Sequence, residues 1–275
     1  MNEQNIELHR NTFYKMYKDI ADNGKTVSPR GQKTLEIENY GFYIPKYVRF
    51  CNFDIRKLNV DYIKREFLWY LNGDKYDTSI AEHAKLWKSF INKDGVINSN
   101  YGQYIFGDEN QFENAYNQLA DDKDSRRAVI AILQLKHLQE VDAVDIPCTI
   151  GISFRIRDNK LNMTVKMRSN DSYYGVASDV PIFSFIHEMM YVKLKEIYSE
   201  LEYGQYYHFA ESFHIYERHF KFLDDVVNNK AEFSVVECPR IHSAGEVDYL
   251  INNLYRLSGT PKEYKFTKWL LEVDK

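Results

Sequence analysis

The sequence has few cysteines, no linker and no long apolar run. Cys51, Cys148 and Cys238 are odd in number, widely spaced and free of any CxxC pair. That excludes a disulfide framework and a structural zinc site, and it fits a reducing cytoplasm. No metal is expected. The longest apolar stretch, Pro181 to Val192, is interrupted by Ser184, His187 and Glu188, too short and too polar to cross a bilayer. The opening MNEQNIELHRNTF lacks the apolar core of a secretion signal. Positive charge is not in excess: the net charge is −4 with 28% charged residues. Binding a nucleic-acid polymer by counterion release is therefore disfavoured, whereas a mononucleotide remains possible. No Gly-, Ser- or Pro-rich linker and no repeat divides the chain, so residues 1–275 are read as a single domain.

What is present is a 44% hydrophobic fraction, ample for a sizeable core. Most of the 22 tyrosines are read as packing residues. Helical spacing of Ile6, Phe13, Met16, Tyr17 and Ile20 predicts a helix over 3–22. Short strands are expected within 33–55. A helix capped by Asp61 should run to Leu71 and stop at Asn72-Gly73. Further helices are expected at 80–91, 110–121, 214–228 and 245–257. The apolar run 128–133 predicts a buried strand. Residues 149–157 and 161–167 should form a hairpin across Asp158-Asn159-Lys160. Pro181 should open a long apolar helix reaching about Tyr198. Strands and helices mix without regular βαβ alternation, which makes the class α+β.

Several residues carry chemistry. Cys148 follows Pro147 at the junction of an irregular segment and a strand, a place that suits a nucleophile, although a lone cysteine there is as readily a buried, inert thiol. Arg30, Arg126, Arg127 and Arg168 stand near the ends of predicted elements. A planar guanidinium there matches two phosphate oxygens at once, while any one of them alone is more commonly a surface ion pair. Glu66 precedes Phe67-Leu68-Trp69 on a helix that is apolar from there to Leu71; it is either a tuned acid–base group or an exposed helix carboxylate.

Taken together the blocks Glu66–Asp74, Tyr101-Gly102, Asp124–Arg127, Pro147-Cys148, Arg168–Asp171 with Gly175, and His214–Tyr216 resemble the thymidylate synthase family, in its order and near its spacing, over about residues 10–220. Within that family the chain resembles the deoxycytidylate 5-hydroxymethylase branch, typical of bacteriophages, for which the compartment is the host cytoplasm. The resemblance implies a thymidylate synthase-like fold, a mixed sheet packed with helices, and a homodimer formed through the sheet. It implies that Cys148 attacks C6 of a pyrimidine nucleotide and that 5,10-methylenetetrahydrofolate is the cosubstrate. Arg30, Arg127, Arg168 and Ser169, with Arg126, would hold the 5′-phosphate, the Arg126-Arg127 pair reaching in from the partner subunit. His214 and Tyr216 would bind the sugar hydroxyl. Glu66 and Tyr101 would handle protons. Trp87, Asp171 and Gly175 would lie against the folate.

Asp179 selects the base. Family members acting on deoxyuridylate carry Asn there, which pairs with O4 and N3–H of uracil. Cytosine offers an amino group and a bare N3, which a carboxylate matches by accepting from the amine and favouring a proton on N3. Asp179 is also a good helix cap ahead of Pro181. Thr149 replaces the family's usual His, Ala177-Ser178-Asp179 replaces Pro-Phe-Asn, and residues 225–275 lack the family's closing C-terminal segment. A less sealed site admits water, giving hydroxymethyl rather than methyl. The expected product is therefore 5-hydroxymethyl-dCMP. The competing readings are methylation of dCMP or dUMP, hydroxymethylation of CMP, and a catalytically idle nucleotide or folate binder. Ser169 matches the deoxynucleotide enzymes.

Overall fold

The structure is a computed structural model that describes residues 3–139, 143–254 and 259–273. Its centre is a six-stranded mixed sheet. In chain order the strands are β1 (Lys25–Val27), β2 (Thr34–Ile44), β3 (Val129–Ala131), β4 (Thr149–Arg157), β5 (Lys160–Asp171) and β6 (Glu202–Tyr216). They lie side by side as β1-β2-β6-β5-β4-β3. All neighbours are antiparallel except β5 and β6. The helices are α1 (Glu3–Asn23), α2 (Val60–Asn72), α3 (Tyr101–Ile105), α4 (Gln111–Asp121), α5 (Leu135–Gln139), α6 (Gly175–Lys195), α7 (Phe220–Val227), α8 (Ala244–Asp248) and α9 (Lys265–Leu271). The class is α+β.

The parallel β5–β6 pair needs a crossover, and α6 supplies it. That helix is apolar nearly all round, with Phe183, Phe185, Ile186, Met189 and Met190 fully buried, as a helix enclosed on every side must be. It packs on β5 and β6 from one face and touches α2, α4 and α8 from others. Each fully buried Phe stabilises the fold by roughly 2–3 kcal/mol relative to exposure. α1 lays Phe13, Met16, Tyr17 and Ile20 against β2 and α7. Among the described residues no helix is long and apolar enough to span a membrane.

Several local expectations need correction. α2 is capped by Asn59, whose side chain accepts from Tyr62 N at 2.9 Å, and not by Asp61; its end at left-handed Gly73 agrees. The expected helix 80–91 is two short 3-10 stretches, Ser79–Glu82 and Lys85–Phe90, separated where Ala84 turns extended. The apolar run 128–133 yields only β3, an edge strand whose outer side chains are exposed. Pro181 does not open α6. The chain turns helical earlier because the Asp171 carboxylate accepts from Tyr173 N (2.9 Å) and Tyr174 N (3.4 Å), so Pro181 falls in the second turn. Asp179 is accordingly inside the helix and not a cap. Within 33–55 one long strand, β2, forms, and 45–55 is irregular apart from a 3-10 turn at Asp54–Arg56. The start of the expected helix 214–228 is the end of β6. Over 245–257, α8 gives way to a π-helical turn, Tyr249–Asn253, and 255–257 lie outside the described residues.

Described residues beyond 230 pack back on the core through two buried carboxylates, Glu188 and Glu246. Fully buried Glu188 accepts from Arg49 and Arg240 and from Ile241 N. Buried Glu246 accepts from Thr267 N at 3.0 Å and Thr267 Oγ1 at 3.1 Å. α9 is thereby held against the rear of α2. Phe266 meets Phe67 and Phe185, and Lys64 donates to the Glu272 carbonyl at 2.7 Å while lying over Trp269.

Candidate active site

Cys148 is the residue immediately before β4, half-buried, with its carbonyl accepting from Arg168 N on β5 at 2.8 Å. Arg168 folds back over this junction. Its Nε donates to Pro147 O (3.0 Å), its Nη2 donates to Ile146 O (2.7 Å), and the same Nη2 lies 3.7 Å from Cys148 Sγ. Its hydrogen bonds go to backbone carbonyls, which hold the guanidinium beside the thiol. Burial nevertheless pushes the thiol pKa up; Arg168 and Arg30 oppose this, and Asp179 and Asp145 add to it. The sulfur is therefore a neutral thiol at rest.

Tyr101, first residue of α3, reaches the same junction. Its hydroxyl oxygen accepts from Cys148 N and Thr149 N, each at 3.2 Å. Two amide donors favour a phenolate, but burial outweighs them and the pKa rises well above 10. The phenol keeps its proton.

Glu66 lies on the buried face of α2 between Tyr62 and Tyr70, each one helical turn away. Burial pushes its carboxyl up to about 7 against the pull of the Tyr62, Tyr70 and Ser178 hydroxyls. Tyr70 donates to Oε1 at 3.3 Å, and Oε2 has no partner among the described residues. Thr149 Oγ1 is likewise buried and unpartnered. Tyr62 and Tyr70 were not anticipated from sequence, although their four-residue spacing around Glu66 was a readable signal.

Asp179, half-buried, accepts from Asn170 Nδ2 at 2.7 Å. Burial, then the neighbouring Glu66 charge, raise its pKa well above the carboxylate range, with Asn170 opposing. Asp179 also acts electrostatically on Cys148 and Tyr101. Four of the anticipated residues, on α2, α3, α6 and the entry to β4, thus share one electrostatic environment.

The remaining candidates divide. Arg30 is exposed, in a left-handed turn (φ 51°), and its charge reaches Cys148 and Tyr216. Ser169 follows Arg168, half-buried, and pairs with Ser212 across the β5–β6 ladder. His214 is buried with its ring edge-on to Tyr216 at 5.1 Å. Arg126 and Arg127 are exposed ahead of β3, and neither charge is among those acting on Cys148. Asp145 was not anticipated. It accepts from Ser99 N at 2.8 Å and from Ser99 Oγ, and its charge adds to the burial that raises the Cys148 pKa.

Of the residues expected against the folate, Trp87 donates its indole N–H to the Tyr62 hydroxyl at 2.8 Å and leaves its ring half-exposed. Asp171 is half-buried. Arg56 stacks over Tyr173 with Nη1 buried and unpartnered among the described residues. Half-open aromatic rings, an acid and an unsatisfied guanidinium suit a planar, amide-bearing, anionic-tailed ligand such as a folate. At Gly175, also expected against the folate, a Cβ would come within 2.7 Å of Asn170 Nδ2 and 3.3 Å of Asp179 Oδ2. Its missing side chain makes room for that pair. A separate cavity of about 280 Å³, lined by Lys46, Tyr47, Arg49 and Arg240 among others, contains none of these residues.

A family model described as thymidylate synthase matches residues 11–249. The deoxycytidylate 5-hydroxymethyltransferase of Enterobacteria phage T4 is 30% identical over 232 residues, 82% of this chain and 90% of that protein. The deoxyuridylate hydroxymethyltransferase of Bacillus phage SP01 is 28% identical over 220 residues, 73% of this chain and 56% of that one. A thymidylate synthase of Fusobacterium nucleatum is 28% identical over 241 residues, covering 79% and 84%.

Proposed function

The chain belongs to the thymidylate synthase family, and from that premise we propose that it is a folate-dependent deoxycytidylate 5-hydroxymethyltransferase. The observation that carries the base assignment is a carboxyl, Asp179, in the same buried environment as Cys148, Glu66 and Tyr101. The names of the phage relatives support the reaction type.

C6 of a pyrimidine is a weak electrophile, so forming a bond from Cys148 Sγ to C6 divides a hard substitution into easier steps. The thiol must lose its proton as it attacks, and the Arg168 charge beside Sγ stabilises the thiolate that forms. Attack at C6 leaves C5 nucleophilic. Methylenetetrahydrofolate, when bound, supplies the one-carbon unit. Glu66, with a pKa of about 7, is poised both to accept and to return a proton near neutrality. Its unpartnered Oε2 and Thr149 Oγ1 are positions for ordered water. Tyr101, with its oxygen already occupied by two amides, holds the nucleophile's backbone in place; taking the C5 proton then requires a bridging water or the loss of one amide bond. Once the C5 proton is lost and tetrahydrofolate has been released, water adds to the exocyclic methylene at C5, and expulsion of Cys148 Sγ from C6 completes hydroxymethylation.

Arg30, Arg168 and Ser169 are assigned to the 5′-phosphate, His214 and Tyr216 to the sugar hydroxyl, and Trp87 and Asp171 to the folate. Arg126 and Arg127 are assigned to the partner subunit's phosphate site in a homodimer. Their exposure ahead of β3 is what supports that.

The test is incubation with dCMP, CMP and dUMP in parallel with methylenetetrahydrofolate, followed by mass analysis. A gain of CH2O on dCMP without dihydrofolate is expected. Stoichiometric dihydrofolate with a gain of CH2 would overturn the reading in favour of methylation. An idle binder would release no tritium from [5-³H]dCMP.

A further inference from the structure

We propose that Tyr206, His208 and Asn170 form a directional chain that fixes which way round Asp179 presents its two oxygens, and so sets the pyrimidine preference. The inference rests on Asp179 reading the base.

Each link fixes the next. Asn170 turns Nδ2 toward Asp179 Oδ2, at 2.7 Å, so Oδ2 accepts there, whether the carboxyl is ionised or carries its proton on Oδ1. Asn170 Oδ1 then faces His208 Nε2 at 3.0 Å and needs a donor, so Nε2 carries the hydrogen. Nδ1 is left with a lone pair and accepts from the Tyr206 hydroxyl at 2.6 Å. His208 is fully buried and Tyr206 nearly so, and neither adds a formal charge to the chain. Burial holds the imidazole pKa at about 3, so it stays neutral with one hydrogen to place. Gly175 supplies the third wall, since a Cβ there would strike Asn170 Nδ2.

This direction matters because a carboxyl alone is ambivalent. A neutral carboxyl matches cytosine in one orientation and uracil in the other. With Asn170 donating to Oδ2, any proton is driven to Oδ1, and the donor and acceptor ends of Asp179 are no longer interchangeable. One base then fits and the other meets like against like. Asn170, His208 and Tyr206 touch no reacting atom; they are positioning residues.

The proposal is tested on the whole enzyme in two ways. In the wild-type protein, ¹⁵N spectra of labelled histidine should show His208 as the Nε2–H tautomer with Nδ1 accepting; an Nδ1–H tautomer or an imidazolium overturns the chain without any variant having to fold. In Tyr206→Phe, Nδ1 loses its donor, so imidazole and amide can both turn over. The ratio of kcat/KM for dCMP over dUMP should fall about tenfold, the upper end for one neutral hydrogen bond, while tritium release from [5-³H]dCMP persists. Asp179→Asn is run alongside. If Asp179→Asn shifts selectivity and Tyr206→Phe alters only thermal stability, the chain is structural and the proposal fails while the Asp179 reading stands. If neither shifts selectivity, the Asp179 reading fails and the proposal falls with it.

Discussion

Arg168 Nη2 lies 3.7 Å from Cys148 Sγ while the same guanidinium is pinned to the carbonyls of Ile146 and Pro147. The charge that favours the thiolate is thus held by the backbone that carries the thiol. Arg168→Lys cannot reproduce this fork. The Cys148 pKa should rise further, and alkylation by iodoacetamide at pH 8 should slow several-fold. An unchanged alkylation rate would show that Arg168 does not act on the sulfur.

Cys148→Ala should abolish tritium release from [5-³H]dCMP while leaving the thermal midpoint within a few degrees of wild type. Residual release at wild-type rate would rule out a covalent adduct through this residue.

Glu66 gives a pH prediction with a definite sign. Its ordinary pKa of 4.5 is raised to about 7 in the fold. Between these values the folded state binds the extra proton, so stability falls as pH rises through that window. The loss amounts to about 3 kcal/mol by pH 8, in order of magnitude. Glu66→Gln removes the buried charge. It should be more stable than wild type at pH 8 and no more stable at pH 4, measured by urea denaturation at each pH. Parallel wild-type and variant curves would refute the shift.

If Arg127 serves the partner's site, Arg127→Ala and Cys148→Ala should each be inactive alone. Mixed, unfolded and refolded together, they should regain activity, because one hybrid site then has both an intact Cys148 and an intact Arg127. Failure to complement, with mixed dimers demonstrated, would place the arginine elsewhere.

Phe266 is fully buried against Phe67 and Phe185. Phe266→Ala should cost about 3–5 kcal/mol of stability. Because Phe67 adjoins Glu66, turnover should drop as well. A stability loss with turnover intact would show that α9 supports the fold without supporting the carboxylate.

Legibility in the sequence followed the range of the interaction. The β4–β5 hairpin was readable because Asp158 and Asn159 both tolerate positive φ (51° and 56°), a local property that defines the turn. The end of α2 was readable at Gly73 for the same reason. β6 was not, although it is the longest strand: α6 packs on it, and Phe213, His214 and Ile215 are buried in succession, which interrupts the period of two. The start of α6 was missed because Asp171, itself recognised, sets it through its turn, and the proline drew attention downstream. At the site, Cys148 and Glu66 stood out by residue type and neighbours, while the roles of Tyr101 and Asp179 were implied by the family resemblance. Asn170 stood inside a quoted block, yet its bond to Asp179 depends on the space left by Gly175, which only the fold reveals.

The strand order has a consequence for synthesis. β2, near the beginning of the chain, finds its main partner only in β6, so the pairing spans most of the sequence. On the ribosome the β1–β2 ribbon waits with an open edge until residue 216 has emerged. Arg30 and Cys148, on opposite sides of β6 in the sheet, cannot meet before then. The nascent chain therefore passes through a long interval with an unpaired strand, slow to close and exposed to aggregation. A chain cut before β6 lacks the strand that joins the Arg30 side of the sheet to the Cys148 side.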